Sequence, residues 1–200
     1  GGRYGEGVAD SGVFAAMEDE FEEVVFGHDP ASGLRCIIAV HSTVLGPSLG
    51  GTRFMAYPDE QAALLDVLRL ARGMTHKQAA AGLALGGGKA VIIGDPATTR
   101  TEALIRAYGR QVHRLGGCYL TAEDVGTTQD DMDLIAEETT YVTGTSPDSG
   151  GSGDPSPATA WGIFWAIRAA AAHRWGHRLA AWREPGTPEH VPPQRSSHLR

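Results

Sequence analysis

The chain is short of lysine, cysteine and long apolar runs, and each shortage excludes something. Lysine occurs only at Lys77 and Lys89, while the other 15 of the 17 cationic residues are arginine. Arginine is always protonated, whereas lysine is a compact charge whose pKa falls on burial or beside another cation. Where any positive charge serves, this sequence uses arginine, so the two remaining amines mark positions that need one. Cysteine occurs only at Cys36 and Cys118. Two such residues in apolar, strand-like runs make neither a disulfide framework nor a zinc site, and they read as buried thiols in a reducing cytoplasm. No metal site is expected. No stretch reaches the ~20 apolar residues of a membrane helix. The first thirty residues lack the basic and apolar regions of a secretory signal. Positive charge is scarce overall, with a net charge of −7 and a pI near 5.6. That balance argues against a nucleic-acid binder and favours small-molecule ligands.

What is present is an alternation of strands and helices. Phe21–Phe26 and Leu34–His41 read as strands of a hairpin, separated by the turn residues His28-Asp29-Pro30-Ala31-Ser32-Gly33. Residues 59–71 place Leu64, Val67, Leu68 and Ala71 on one helical stripe, with Asp59 and Glu60 at the N-terminal end. Lys77 would project from the end of that helix or from a second one after Gly73. Ala90–Ile93 reads as a strand buried on both faces. The Thr99-x-x-Glu102 pattern predicts a capping box for a helix carrying Leu104, Ala107, Tyr108 and Leu115. Residues 118–121 form a further strand, and Thr127 or Thr128 caps the next helix, with Asp130 and Asp131 in its first turn. This is the α/β signature.

The residues suited to chemistry are Lys77, Lys89 and Asp124. Two ammonium groups in one cleft repel, and the more desolvated loses its proton more readily. One lysine then holds an anion while the other acts as a base. The run Gly86-Gly87-Gly88 before Lys89 is either a tight turn or a place where backbone approaches a ligand closely. It is no Walker loop, because Ala90 follows the lysine and the required glycine spacing is absent.

Four ordered motifs carry a resemblance: Leu45-Gly46-Pro47-Ser48-Leu49-Gly50-Gly51-Thr52-Arg53, Arg72-Gly73-Met74-Thr75-His76-Lys77, residues 86–96 from the triple glycine through Asp95-Pro96, and Thr121-Ala122-Glu123-Asp124-Val125-Gly126-Thr127-Thr128. Over roughly residues 20–172 the chain resembles the N-terminal substrate-binding and dimerisation domain of the glutamate/leucine/phenylalanine/valine dehydrogenases, closest to the leucine and valine branch. The resemblance implies a three-layer α/β/α domain with a mixed sheet. It also implies NAD-dependent oxidative deamination of an L-amino acid to a 2-oxo acid and ammonia, by a homo-oligomer. By position, Lys77 matches the lysine that binds the substrate carboxylate, Lys89 the lysine that activates water, and Asp124 the carboxylate that handles protons on nitrogen. Leu49, Gly50, Gly51, Met74 and Ala122 match pocket positions, and Asp154 and Thr159 match positions on the nicotinamide side. Glutamate-specific members carry lysine where this chain has Leu49, which cannot pair a side-chain carboxylate. An apolar substrate such as valine, leucine or phenylalanine is therefore implied. Without the resemblance, ordinary core packing remains an alternative reading of Leu49 and Met74.

The domain plan expected is a flexible segment over 1–20, the substrate domain over 21–143, and a loop and linker helix over 144–172. Residues 173–200 hold four of the eight histidines, five arginines and four prolines without apolar periodicity, the composition of a disordered tail. No Gly-x-Gly-x-x-Gly turn of a Rossmann cofactor domain follows. The tail reads as out-of-frame translation or truncation, which would leave the chain inactive alone. Two other readings stand beside the dehydrogenase. One is a non-catalytic oligomerisation or ligand-binding module; the other is a lysine Schiff-base enzyme using pyridoxal phosphate, which lacks an identifiable phosphate cup.

Overall fold

The computed structural model describes residues 12–17 and 20–176. Contacts divide the chain into one compact unit ending at Pro155 and a second beginning at Ser156. The first unit runs α1 (Val13–Met17), β1 (Glu23–Asp29), β2 (Leu34–Ser42), β3 (Ser48–Met55), α2 (Glu60–Ala80), β4 (Gly86–Ile93), α3 (Pro96–Thr99), α4 (Glu102–Arg114), β5 (Tyr119–Glu123), α5 (Gln129–Ala136) and a 3-10 turn at Pro147–Ser149. The second unit contributes α6 (Ser156–Trp175).

The strands form one mixed sheet in the order β1-β2-β4-β3-β5. β1 pairs antiparallel with β2 and β2 with β4, while β3 runs parallel to both β4 and β5. Parallel neighbours need crossover helices, and the two crossovers put helices on opposite faces. On one face α2 packs Ala63, Leu64, Val67, Leu68 and Ala71 against Ile37, Ala39 and Val91. On the other, α4 and α5 pack Leu104, Ile105, Tyr108, Met132 and Ile135 against Ile38, Phe54, Ala90 and Ile92. The result is the three-layer α/β/α domain that the sequence led us to expect. β4 is buried almost throughout because both of its faces are covered.

Local chemistry sets the boundaries. Asp59 caps α2 by accepting from the Ala62 amide at 2.7 Å, and Thr128 caps α5 in a reciprocal box with Asp131. The cap expected at Thr99 belongs to Thr101, whose hydroxyl accepts from the Leu104 amide at 3.2 Å. Thr99 instead ends the short helix α3, which Asp95 caps. The first strand lies two to three residues later than its apolar run suggested, so His28 and Asp29 are strand residues and Gly33, with φ of 77°, takes the hairpin's left-handed position. No second helix starts after Gly73. α2 continues through it, because packing of the apolar stripe outweighs the ~1 kcal/mol helix cost of glycine. β3 was not legible as a strand, since its glycines and polar residues hide the alternation.

The triple glycine is neither a turn nor a loop but the first part of β4. A Cβ on Gly87 would collide with the Thr75 backbone and hydroxyl on α2, and one on Gly88 would come within 2.8 Å of Ser48 Oγ and the Tyr119 ring. Glycine is needed here so that helix and strands can approach.

Of the segment expected to be flexible, residues 1–11 and 18–19 lie outside the described residues, whereas Val13–Met17 is helical and packs Val13, Ala16 and Met17 on the α2-side core. The tail reading falls largely on 177–200, also outside them; the helix expected to end at Ala172 reaches Trp175. Among the described residues no helix is long and apolar enough to cross a membrane, and no cluster of metal-ligating side chains occurs.

Candidate functional site

Strand alternation assigns the site to the α2 face of the sheet. Ala90 and Ile92 point to the α4 side, so Lys89, like Val91, points toward α2. Register places Leu49 opposite Gly87, Arg53 opposite Val91, and Gly51 opposite Ala122. Paired residues share a face, so Leu49, Gly51, Arg53, Lys89 and Ala122 lie on one surface beneath α2. Lys77 stands in the last turn of α2, near the end of the helix where the chain turns back toward β4. Asp66 lies about three turns earlier on the same side of the helix.

Asp124 follows the last residue of β5. Its amide donates to Thr127 Oγ1 at 3.0 Å, and that hydroxyl donates to the Thr52 carbonyl at 2.9 Å. The loop is thereby fixed to β3, and the Asp124 carboxylate turns toward Lys89. Lys89 Nζ meets Asp124 Oδ2 at 2.8 Å. Lys89 is only 5 % exposed. Burial pulls its pKa down from 10.5; the Asp124 carboxylate opposes that shift, and Arg53 and Lys77 add to it. For Asp124, burial pushes upward, but the Lys89 hydrogen bond and charge, the Val125 amide and Arg53 outweigh it and hold the carboxyl below 3.8. Desolvation thus wins at the amine and loses at the carboxylate. The pair sets an ionised carboxylate against an amine that burial makes readier to give up its proton.

Arg53 was not singled out from the sequence, yet it is central. Its Nε donates to Asp124 Oδ2 at 3.2 Å and its Nη1 to Asp66 Oδ2 at 2.9 Å. Tyr57 donates to the same Asp66 oxygen at 2.7 Å. Two signals could have found these residues. Arg53 alternates with Leu49 and Gly51 along β3, and Asp66 shares a helical stripe with Met74 and Lys77.

The sequence-derived set converges in part. Lys89, Asp124, Gly51, Leu49 and Ala122 meet on the α2 face of the sheet, with Met74 half-buried and Lys77 exposed on the covering helix, whereas Gly50 alternates to the opposite face. Lys89 lies inside β4 rather than at the end of an element. A Cβ on Gly51 would lie 2.8 Å from Asp124 Cβ, and one on Gly50 would strike the Gly88 carbonyl. The glycine pair therefore lets β3 lie close against β4 and leaves room for the Asp124 side chain. Behind the pair, Tyr119 donates to the Gly50 carbonyl at 2.5 Å, and Thr52, Tyr108 and Thr121 join in a buried hydroxyl cluster. Asp154 and Thr159 fall in the two different compact units, both exposed. Cys36 is buried; Cys118 is half-buried just before β5, and neither forms a disulfide.

A model of the Glu/Leu/Phe/Val dehydrogenase dimerisation domain matches residues 22–141. The chain is 58 % identical over 165 residues to leucine dehydrogenase of Geobacillus stearothermophilus, covering 82 % of this chain and 45 % of that protein. It is 54 % identical over 172 residues to valine dehydrogenase of Streptomyces virginiae, covering 84 % and 48 %. Among solved structures, L-tryptophan dehydrogenase from Nostoc punctiforme aligns with a TM-score of 0.65 at 44 % identity, over 82 % of this chain and 45 % of that one. Hetero-hexameric glutamate dehydrogenase from Thermus thermophilus shares the fold, with a TM-score of 0.66 at 23 % identity over 84 % and 50 %. The chain spans about half the length of the curated relatives it matches.

Proposed function

The chain belongs to the Glu/Leu/Phe/Val dehydrogenase family, and on that premise we propose that it carries the amino-acid site of an enzyme that oxidatively deaminates an apolar L-amino acid. The observation that carries this reading is the buried Lys89–Asp124 pair at 2.8 Å, on the sheet face covered by the helix that bears Lys77. Lys77, exposed on the covering helix, anchors the substrate carboxylate. Leu49, Met74 and Ala122 line the side-chain pocket; of the substrate positions the resemblance gives, Gly51 lies on the same face and lets Asp124 close in, while Gly50 backs the strand from the other side. Leu49 leaves a glutamate side chain without a cation, so valine or leucine is preferred.

NAD, when bound, would accept the hydride that takes the amine to the imine. The described residues do not by themselves seat a dinucleotide. None of their strands leads through a Gly-x-Gly-x-x-Gly turn into a helix. Asp154 and Thr159 are the positions proposed to face the nicotinamide, and NAD dependence rests on the family resemblance. What the chain's own residues do concerns water and protons. Lys89, as neutral amine, takes a proton from a water whose oxygen bonds to the imine carbon. Asp124, ionised, relays to the nitrogen the proton that Lys89 took from water; the freed Lys89 amine then takes the remaining hydroxyl proton as the carbon–nitrogen bond breaks, so the carbonyl forms and ammonia leaves. The match to a dimerisation domain supports a homo-oligomer. Two free cysteines accord with a cytoplasmic setting.

The test is calorimetry of this chain with 2-oxoisovalerate, beside an assay of 2-oxo acid formation by the full-length protein. Binding lost in Lys77→Ala, with the fold intact, supports the reading. Self-association without any ligand binding would instead favour a bare oligomerisation module.

A further inference from the structure

We propose that Arg53 is a positioning residue that holds the Asp124 carboxylate in its working orientation and is itself clamped by Asp66 and Tyr57; this rests on the reading of Asp124 as the proton-handling group. The guanidinium spans two layers of the fold. Its Nε reaches Asp124 at the end of β5, and its Nη1 reaches Asp66 on α2. Tyr57, in the connection between β3 and α2, fixes the far end by donating to Asp66 Oδ2. The planar guanidinium presents Nε and Nη1 in fixed directions and so holds the two carboxylates in a set geometry, whereas a lysine ammonium is a rotating point charge that fixes neither.

The need for such a clamp follows from Lys89. Asp124 Oδ2 takes contacts from Lys89 at 2.8 Å and from Arg53 at 3.2 Å. Lys89 is also the proposed base, so its charge and its contact with Asp124 change during each turnover. A carboxylate held by Lys89 alone would swing as that lysine gained and lost its proton. Arg53 keeps its charge throughout and supplies a constant second contact on the same oxygen. Asp124 is acted on by Lys89 from β4 and Arg53 from β3 and couples to Tyr119 of β5; Arg53 in turn faces Asp66 of α2 and Tyr57 of the β3–α2 connection, and Lys89 faces Lys77 of α2. Among them Arg53 lowers both members of the reacting pair, Asp124 by stabilising its anion and Lys89 by repelling its ammonium.

The experiment is a set of pH profiles of kcat and kcat/KM in the full-length protein, with an apolar amino acid, for wild type, Arg53→Gln, Arg53→Lys and Asp66→Asn. Arg53→Gln is expected to lower kcat by roughly 100-fold with little change in KM. Its acid limb should move toward higher pH, because Lys89 and Asp124 both lose the cation that lowers them. Arg53→Lys should restore the limb but recover only part of kcat. Asp66→Asn should lower kcat by about 10-fold and leave the limb in place, because Arg53 keeps its charge but loses its anchor. Unaltered kcat and an unmoved limb in Arg53→Gln would overturn the proposal, as would a change confined to KM. Should Arg53→Gln fail to fold by circular dichroism, Asp66→Asn decides, and wild-type kcat there would overturn it. Failure of the dehydrogenase reading shows separately, as a wild type that forms no 2-oxo acid. In that event an NMR titration of the Asp124 carboxyl reads the clamp directly: a midpoint raised in Arg53→Gln supports it, and an unchanged one overturns it.

Discussion

Lys89 and Asp124 meet at 2.8 Å although one is inside a strand and the other follows a different strand that is not its neighbour. β3 lies between them, and Gly51, on the face that carries Lys89, leaves the space through which the two side chains reach each other. Removing one member strands the other unequally. Asp124→Ala leaves a buried ammonium beside Arg53 and Lys77 and is expected to cost about 3 kcal/mol. Lys89→Met leaves a carboxylate still held by Arg53 and should cost about 1 kcal/mol. Urea unfolding of both variants measures the asymmetry, and equal losses would contradict it.

The same pair sets the pH dependence of stability. Lys89 has a folded pKa below its unfolded value of 10.5, so the unfolded chain binds more protons between the two, and stability rises as pH climbs through that window. Asp124 has a folded pKa below 3.8, so its contribution is present above that value and is lost as pH falls through the folded one. Unfolding free energy measured across alkaline pH should therefore rise in wild type relative to Lys89→Met. A constant difference between the two would show that Lys89 carries no shift.

Leu49 is half-buried on the site face of β3. Leu49→Lys places an amine where the proposed substrate side chain lies, and the ratio of kcat/KM for glutamate over leucine should rise by on the order of 100-fold in the full-length protein. No change in that ratio would remove Leu49 from the pocket.

Gly50→Ala drives a methyl into the Gly88 carbonyl, where backbone faces backbone and no side chain can yield. The expected loss is about 3 kcal/mol or more, seen as a lowered thermal midpoint. Gly73→Ala, facing open space on α2, should instead stabilise by about 0.5–1 kcal/mol. The opposite signs separate glycines kept for close approach from those that are merely tolerated.

The periodic elements were legible because their periods survive in sequence. The α2 stripe at Leu64, Val67, Leu68 and Ala71, the apolar run of β2 and the turn at Gly33 each announce themselves locally. β3 did not, because a strand built of Ser48, Leu49, Gly50, Gly51 and Thr52 shows no alternation of apolar with polar residues. The triple glycine misled for a related reason. Glycine usually signals a turn, but in β4 it answers to α2 and β3 pressing on the strand from outside the local sequence.

By itself the sequence determined the α/β class and the two exceptional amines, and four ordered motifs pointed to the residues of the site. Those properties are written in residue type and spacing, which local chemistry can read. Only the tertiary structure decided which amine is buried against a carboxylate, and that Arg53, Asp66 and Tyr57 stand behind that pair. Desolvation and ion pairing depend on what strand order and a crossover helix bring within a few ångströms, and no local pattern encodes that distance.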